Sequence, residues 1–232
     1  ASPVLVVDAW INNRPENQTI ILTTTSSYFS ESLQPAVQGA FITVTDEFGT
    51  DYIFNETESG KYEWTPTVAQ PFIGGEAGTI YNLNVAVNGE SYTSSTTIGR
   101  VPQIDSLSLE EQPLNTFVSE EIYYLAQFWA TDLVGSGDAY WIKASKNGVP
   151  LNKPSEISLA FDSGFTQGGN FDGVTFIQPI RQSINPFDTD SNDNFLSPYL
   201  PGDSVFVEIH SISEKAFQFL NKVKVATDRP GG

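Results

Sequence analysis

The stretch Tyr81-Asn82-Leu83-Asn84-Val85-Ala86-Val87 decides the fold class of this chain. Its apolar residues recur at every second position, the period of a strand with one buried and one exposed face. Asn88-Gly89 follows, and this dipeptide readily adopts the positive φ angles of a type I′ hairpin turn. A second strand-like run, 91–98, comes after the turn. The stretch therefore predicts a β-hairpin.

The same two-residue period appears in 19–23 and 40–44, and glycine-containing turn signals separate such runs. About seven short strands in roughly 100 residues is the spacing expected of an immunoglobulin-like sandwich. Gly99-Arg100-Val101-Pro102 ends the pattern, because proline has no backbone N–H to donate within a sheet and restricts the backbone conformation of the residue before it. We predict an N-terminal immunoglobulin-like β-sandwich over 1–101.

The second half of the chain also carries strand-like runs, at 122–129, 139–144, 174–180 and 204–209. Ser211-Ile212-Ser213-Glu214 then resembles a capping box, and apolar residues follow it at helical spacing. We predict a second β-rich domain over 102–232 with one short C-terminal helix at about 213–222. The fold class as a whole is mainly β.

Composition removes several kinds of site. The 232 residues include no Cys, no Met and one His, with 28 acidic and 11 basic side chains and a net charge of −17. Cysteine nucleophiles, disulfides, Cys-rich zinc sites and multi-histidine cages are therefore excluded. The negative charge repels phosphate backbones, so we expect no nucleic-acid partner.

The densest polar segment, 185–194, contains a candidate metal site. Asp188, Asp190 and Asn192 repeat the D-x-D-x-N opening of an EF-hand loop, whose oxygen ligands wrap Ca²⁺. The sixth position is Asp193 where the motif has Gly, and the twelfth is Tyr199 where it has a bidentate Glu. Two interpretations stay open, a solvated acidic loop and a Ca²⁺ site, and no other cofactor is predicted.

The remaining polar residues do not define a catalytic site. Asp162 and Asp172 lie in glycine-containing turns, where Asp is ordinary turn chemistry, although they are also candidates to complete a cation site. Glu110-Glu111 and Glu120-Glu121 are adjacent in sequence, which does not establish the separation that two glycosidase carboxylates need. His210 ends a predicted strand, and a lone His there fits a structural hydrogen bond. We predict no catalytic residue.

Seven passages, in this order and at these distances, resemble one family over nearly the whole chain. It is a family of outer-membrane-associated lipoproteins from Bacteroidetes, catalogued as domain of unknown function 4249. The passages are Pro3-Val4-Leu5-Val6-Val7-Asp8-Ala9-Trp10-Ile11, Gly75-Glu76-Ala77-Gly78-Thr79-Ile80-Tyr81, Val87-Asn88-Gly89-Glu90-Ser91-Tyr92, Val101-Pro102-Gln103-Ile104-Asp105-Ser106-Leu107, Asn170-Phe171-Asp172-Gly173, Leu200-Pro201-Gly202-Asp203-Ser204-Val205, and the predicted helix from Ser213 to Leu220.

This resemblance implies a location and a partner, but no chemistry. Members look like exported proteins held by a lipidated N-terminal Cys and often encoded near TonB-dependent outer-membrane receptors. That Cys is not part of this sequence, so the anchor is implied by the resemblance alone. We expect a lipid-anchored protein at the outer membrane that faces the cell surface, with the periplasmic face left open as the alternative. The preferred function is that of a non-enzymatic extracytoplasmic lipoprotein, an accessory subunit that contacts a TonB-dependent receptor or other outer-membrane β-barrel.

Two other functions stay open. A surface glycan- or nutrient-binding module predicts an exposed coplanar pair of aromatic side chains around Tyr123, Trp129, Tyr140 or Trp141, because aromatic faces pack on sugars. A carboxylate-based hydrolase predicts an Asp or Glu whose pKa is strongly raised inside a cleft.

Overall fold

The computed structural model describes residues 2–26, 33–71, 73–113, 122–167 and 170–227. The chain divides into two compact units, Ala1–Ile98 and Gly99–Gly232. The boundary predicted after residue 101 lies a few residues farther along the chain. Each unit is described by itself.

The described residues of unit 1 form one antiparallel sheet of seven strands in the order β1-β2-β5-β4-β3-β6-β7. The strands are β1 (Leu5–Ala9), β2 (Gln18–Thr24), β3 (Phe41–Asp46), β4 (Asp51–Glu58), β5 (Lys61–Trp64), β6 (Ile80–Val87) and β7 (Glu90–Thr97).

Strand β4 joins the two halves of this sheet. Its residues 51–54 pair with β3, and its residues 55–58 pair with β5 across a register irregularity between Glu56 and Glu58. The sheet curls, and its alternating side chains enclose a core that includes Ile20, Ile42 and Tyr62. The prediction of a mainly β fold is confirmed. An immunoglobulin-like sandwich consists of two packed sheets, whereas these seven strands form one continuous sheet. The immunoglobulin-like sandwich therefore stays a prediction.

The β6–β7 hairpin is confirmed. Asn88 and Gly89 have φ angles of 53° and 79°, as a type I′ turn requires. The two strands pair without interruption from Val87↔Glu90 to Ile80↔Thr97.

In the part of unit 2 that the structure describes, strands combine with two helices and a 3₁₀ turn. Its elements are β8 (Ile104–Pro113), β9 (Ile122–Ala130), β10 (Ala139–Lys146), β11 (Val149–Pro150), the 3₁₀ turn Pro154–Glu156, β12 (Ser158–Phe161), α1 (Gln178–Arg181), β13 (Val205–Ser211) and α2 (Glu214–Thr227).

Strand β10 is the centre of unit 2. It pairs antiparallel with β13 from Tyr140 to Lys146, and with β12 and β11 at its other edge, while β8 and β9 form a separate ribbon. Tyr140 and Phe128 are fully buried, and each ring centroid lies 5.6 Å from that of Phe176. This aromatic group fixes the core of the unit.

Two sequence predictions in unit 2 need correction. The strand predicted at 174–180 is wrong, because helix α1 begins at Gln178 with Pro179 in its first turn, where proline is tolerated. The C-terminal helix is confirmed but extends to Thr227, and its cap is Ser213, whose Oγ accepts a hydrogen bond from the Ala216 amide at 3.2 Å. The capping box cannot begin at Ser211, which is the last residue of β13. Within the described residues, no helix has the length and apolar character needed to cross a bilayer.

Candidate functional site

The acidic loop, residues 187–196, closes on itself. Thr189 and Phe195 form an isolated β-bridge. The Leu196 amide donates to the Asp188 carbonyl at 3.0 Å, and the Asp190 amide donates to the Asn194 carbonyl at 2.9 Å. The predicted metal ligands therefore lie on a small turn with its own internal hydrogen bonds.

Asp190 organises this turn through its carboxylate. Its Oδ1 accepts from the amides of Asn192 and Asn194 at 2.7 and 2.9 Å, and its Oδ2 accepts from the Asn194 side chain at 3.1 Å. These hydrogen bonds, with those from Asn194 the largest cause, lower the pKa of Asp190. The carboxylate thus acts as the internal acceptor of its own loop.

Asp188 has a different partner. Its carboxylate forms an ion pair with the ammonium of Lys153, and that hydrogen bond is the main reason why the pKa of Lys153 is raised. Asp188 and Asp190 therefore each accept from protein donors. Within the described residues, no three His, Cys, Asp or Glu side chains are placed to hold a metal ion. The Ca²⁺ site at Asp188, Asp190 and Asn192 stays a prediction.

Large apolar side chains are exposed along the 187–200 segment, which contains the acidic loop. Phe187 and Phe195 are 63% and 51% exposed, and Leu196 and Leu200 are 49% and 58% exposed. The two phenylalanine rings contact each other edge to face, with centroids 4.8 Å apart. Contiguous exposed apolar surface can mark a contact site, so this segment is a candidate contact surface.

Strand β9 holds the backbone of this segment. The Asn185 side chain, just before the segment, donates to the Ala126 carbonyl and accepts from the Ala126 amide, both at 2.8 Å. The Tyr123 hydroxyl donates to the Phe195 carbonyl at 2.6 Å, and the Tyr124 amide donates to the Ser197 hydroxyl at 3.1 Å. The exposed rings are thus carried by an anchored backbone.

A second group of acids, which we call the Arg100 network, lies within unit 2. The Arg100 guanidinium forms an ion pair with Asp138 and donates to the carbonyls of Val134 and Gly135 at 2.9 and 2.5 Å. Asp172 accepts from the Gly135 amide at 2.8 Å. The network therefore closes the connection between β9 and β10.

Asp162 completes this connection from the end of β12. Its Oδ1 accepts from the amides of Gly137 and Asp138 at 2.8 and 3.1 Å, and its own amide donates to the Asp138 carbonyl at 2.7 Å. The residue is 4% exposed and has a φ of 50°, which Asp tolerates better than most side chains. Asp162 and Asp172 thus bind backbone amides.

Asp132 is the most deeply placed acid of the network. It is 3% exposed, and burial raises its pKa. Its Oδ1 accepts from the Tyr140 hydroxyl at 2.7 Å and its Oδ2 accepts from the Gly173 amide at 3.2 Å. Both carboxylate oxygens accept hydrogen bonds from protein donors and the side chain is buried, so Asp132 is not openly accessible to a substrate.

The aromatic residues proposed for sugar binding are covered. Tyr140 and Tyr123 are buried. The Arg181 guanidinium lies 3.9 Å from the Trp129 ring centroid, and the Lys143 ammonium lies 4.0 Å from that of Trp141. These positions do not form an exposed coplanar pair.

The other candidate residues do not converge either. Glu110 lies opposite Leu125 and Glu111 opposite Tyr124, and adjacent strand residues point to opposite faces of the β8–β9 ribbon. Glu120 and Glu121 lie outside the described residues. His210 is half-buried, and its Nε2 lies 3.7 Å from a carboxylate oxygen of Glu208.

Sequence reasoning missed Arg100, Asp132 and Asp138 as partners. The available signal was local: Gly135-Ser136-Gly137-Asp138 is a turn sequence, and both glycines have positive φ angles, of 116° and 111°. It indicates a tight connection but does not indicate which distant acids close it.

Comparison with known proteins gives one family and one remote structure. No curated protein matches the chain. A crystal structure of a DUF4785 family protein from Legionella pneumophila subsp. pneumophila str. Philadelphia 1 is similar, with 13% identity over 92% of this chain and 48% of that one. The chain spans about half the length of that protein, and a TM-score of 0.24 carries no argument about fold or function. The family model described as "Domain of unknown function (DUF4249)" matches residues 1–232, so the chain belongs to that family.

Proposed function

We propose that this protein is a non-enzymatic extracytoplasmic lipoprotein that works by contact, as an accessory subunit of an outer-membrane assembly. Its partner is a TonB-dependent receptor or another outer-membrane β-barrel. An N-terminal lipid anchor outside this chain holds it at the outer membrane, on the cell surface. The resemblance described from the sequence supports the location and the partner.

The exposed Phe187–Phe195 pair is the observation that carries a contact function. Two rings exposed by more than half lie on a backbone that β9 anchors, so little order has to be gained on binding. Asp188, Asp190 and Asp193 follow Phe187 along the same loop. The surface therefore suits a partner that offers an apolar patch with basic residues at its rim.

The alternatives have less support. The aromatic residues proposed for glycan binding are buried or covered by cations. A hydrolase would need substrate to reach Asp132, whose two oxygens already accept hydrogen bonds. Neither arrangement provides an open binding surface comparable to the 187–200 segment.

The test is purification of the tagged full-length protein from its native membrane in mild detergent, followed by mass spectrometry. We expect an outer-membrane β-barrel in stoichiometric amount with the wild type and its loss from the double variant Phe187→Ser, Phe195→Ser. The matched control is Phe219→Ser, since Phe219 is 64% exposed on α2 and lies outside the segment. Recovery of the protein alone would reject the proposed function, and full retention by the double variant would reject this surface.

A further inference from the structure

Strand β7 is a free edge of the unit 1 sheet. It is the last strand in the sheet order, and within the described residues it pairs only with β6. All eight of its residues are exposed, on both faces of the sheet. An edge of this kind presents a row of backbone donors and acceptors to solvent.

Both ends of the hairpin show which residues form that row. In a two-residue hairpin loop the flanking residues, here Val87 and Glu90, form a hydrogen-bonded pair. Beyond the far end of β7, the Ile98 amide donates to the Thr79 carbonyl at 2.9 Å. Because inward and outward residues alternate, the even-numbered residues bond β6. The outward donors and acceptors therefore belong to Ser91, Thr93, Ser95 and Thr97.

This edge lacks the features that normally prevent strand addition. β7 contains no Lys, Arg or Pro, its only charged residue is Glu90 at the turn, and its pairing with β6 has no bulge. The opposite edge strand, β1, has five residues and carries Asp8 within it. Each edge strand carries one acidic residue, but β7 is longer and its acid lies at the turn end.

We propose that β7 is a strand-addition site that binds an extended, uncharged or basic segment of a partner polypeptide. Only another extended backbone matches four outward donors and four outward acceptors at a two-residue repeat. A second copy of this chain is a poor occupant, because two molecules of net charge −17 repel each other. This site lies in unit 1 and goes beyond the proposed function, because it does not depend on the 187–200 segment.

Side chains add limited selectivity to this backbone recognition. Thr and Ser pair well across strands with Thr or other β-branched residues. Tyr92 is the one large side chain of β7, and it lies opposite Val85 of the core on the same face. We expect a segment rich in Thr and Val, with one apolar residue against Tyr92.

The test measures backbone hydrogen exchange by NMR in the full chain, with the peptide Lys-Thr-Val-Thr-Val-Thr-Val-Lys as the probe. With nine-tenths of the protein bound, we expect exchange to slow about tenfold at Ser91, Thr93, Ser95 and Thr97, with little change at the intervening amides. A version of the peptide with Glu at both ends should bind less tightly, because of the charge of the chain.

Two variants separate backbone recognition from side-chain contact. Thr93→Pro with Ser95→Pro removes two outward donors without touching the ladder to β6, and should abolish protection. The control Thr93→Ala with Ser95→Ala keeps those donors and should retain it. Protection spread evenly along β7, no protection, or a dimer through β7 in sedimentation would each overturn the proposal. If the proline variant does not fold, the alternating protection pattern of the wild-type chain is sufficient to accept or reject the proposal.

Discussion

The acidic loop and the Arg100 network use the same side chain for opposite purposes. In the loop, Asp190 binds residues two and four positions away and stays at the surface. In the network, Asp132 and Asp162 lie inside unit 2 and bind residues that are distant in sequence, such as Tyr140, Gly173 and Gly137. Acidic residues that are close together in the sequence thus form a local turn, while acidic residues that are far apart in the sequence form tertiary hydrogen bonds.

The largest expected effect comes from Asp162→Ala. The variant loses two hydrogen bonds to a charged acceptor and places Ala at a φ of 50°, so we expect a loss of about 2–3 kcal/mol in the free energy of unfolding. Urea unfolding measures it. Asp162→Asn is the control, because Asn keeps an acceptor oxygen and tolerates positive φ, and it should lose less than half as much. Equal stability of both variants and the wild type would contradict a structural role for the network.

Tyr140→Phe is expected to lose about 1–2 kcal/mol, since it removes the donor to Asp132 and leaves a buried carboxylate with one partner fewer. Urea unfolding again measures the change. The matched variant in unit 1 is Tyr52→Phe, because the Tyr52 hydroxyl bonds Asp46 at a longer 3.3 Å. A larger loss in Tyr52→Phe than in Tyr140→Phe would show that the buried pair contributes less than its geometry suggests.

The raised pKa of Asp132 also leads us to expect that the free energy of unfolding depends on pH, with a definite sign. Its folded-state pKa is raised above the ordinary value of 3.8, so folding favours the protonated form. Its contribution to stability is greatest below pH 3.8 and declines as pH rises from there through the raised pKa. The stability of Asp132→Asn relative to wild type should therefore increase over that window. Urea unfolding at a series of pH values measures this, and a flat difference would contradict the burial of a titrating carboxyl.

Asp190→Ala should act only locally. Asp190 is only half-buried and its carboxylate serves its own loop, so we expect faster hydrogen exchange at Asn192 and Asn194 with no change in the melting temperature. Since the pKa of Asp190 is lowered, the wild-type loop should lose its order as pH falls from about 4 through that lowered pKa. A clear fall in the melting temperature of the variant would remove the distinction between the two groups of acids.

Calcium is expected to have the smallest effect. Asp188 and Asp190 already accept hydrogen bonds from Lys153, Asn192 and Asn194, so millimolar CaCl₂ should leave the melting temperature unchanged. Lys153→Gln frees Asp188 and is the matched variant. A stabilisation by CaCl₂ that Asp190→Asn abolishes would instead establish the predicted cation site.

The sequence predicts what depends on neighbouring residues. The β6–β7 hairpin follows from the apolar period and Asn88-Gly89, and helix α2 follows from its spacing and its serine cap. The strand predicted at 174–180 is wrong, because the Phe176 side chain is buried in an irregular segment and helix α1 begins at Gln178. An apolar run alone does not distinguish these cases.

The candidate sites show the same limit. The acidic loop was visible as a dense run, but the ion pair of Asp188 with Lys153 joins residues 35 positions apart. Arg100 and Asp138 are 38 positions apart and Asp132 and Gly173 are 41 apart, so no local pattern relates them. Exposure of Phe187 and Phe195 likewise depends on how β9 holds the segment. These facts require the tertiary structure.

The sharing of β4 between the two halves of its sheet has a consequence for unfolding. Residues 51–54 belong to one half and residues 55–58 to the other, so neither half can detach while this strand keeps both neighbours. Mechanical load applied to β1 would pass through β2, β5 and β4 to the β6–β7 hairpin. Unit 1 should therefore melt in a single cooperative step, with no stage at which one half survives alone.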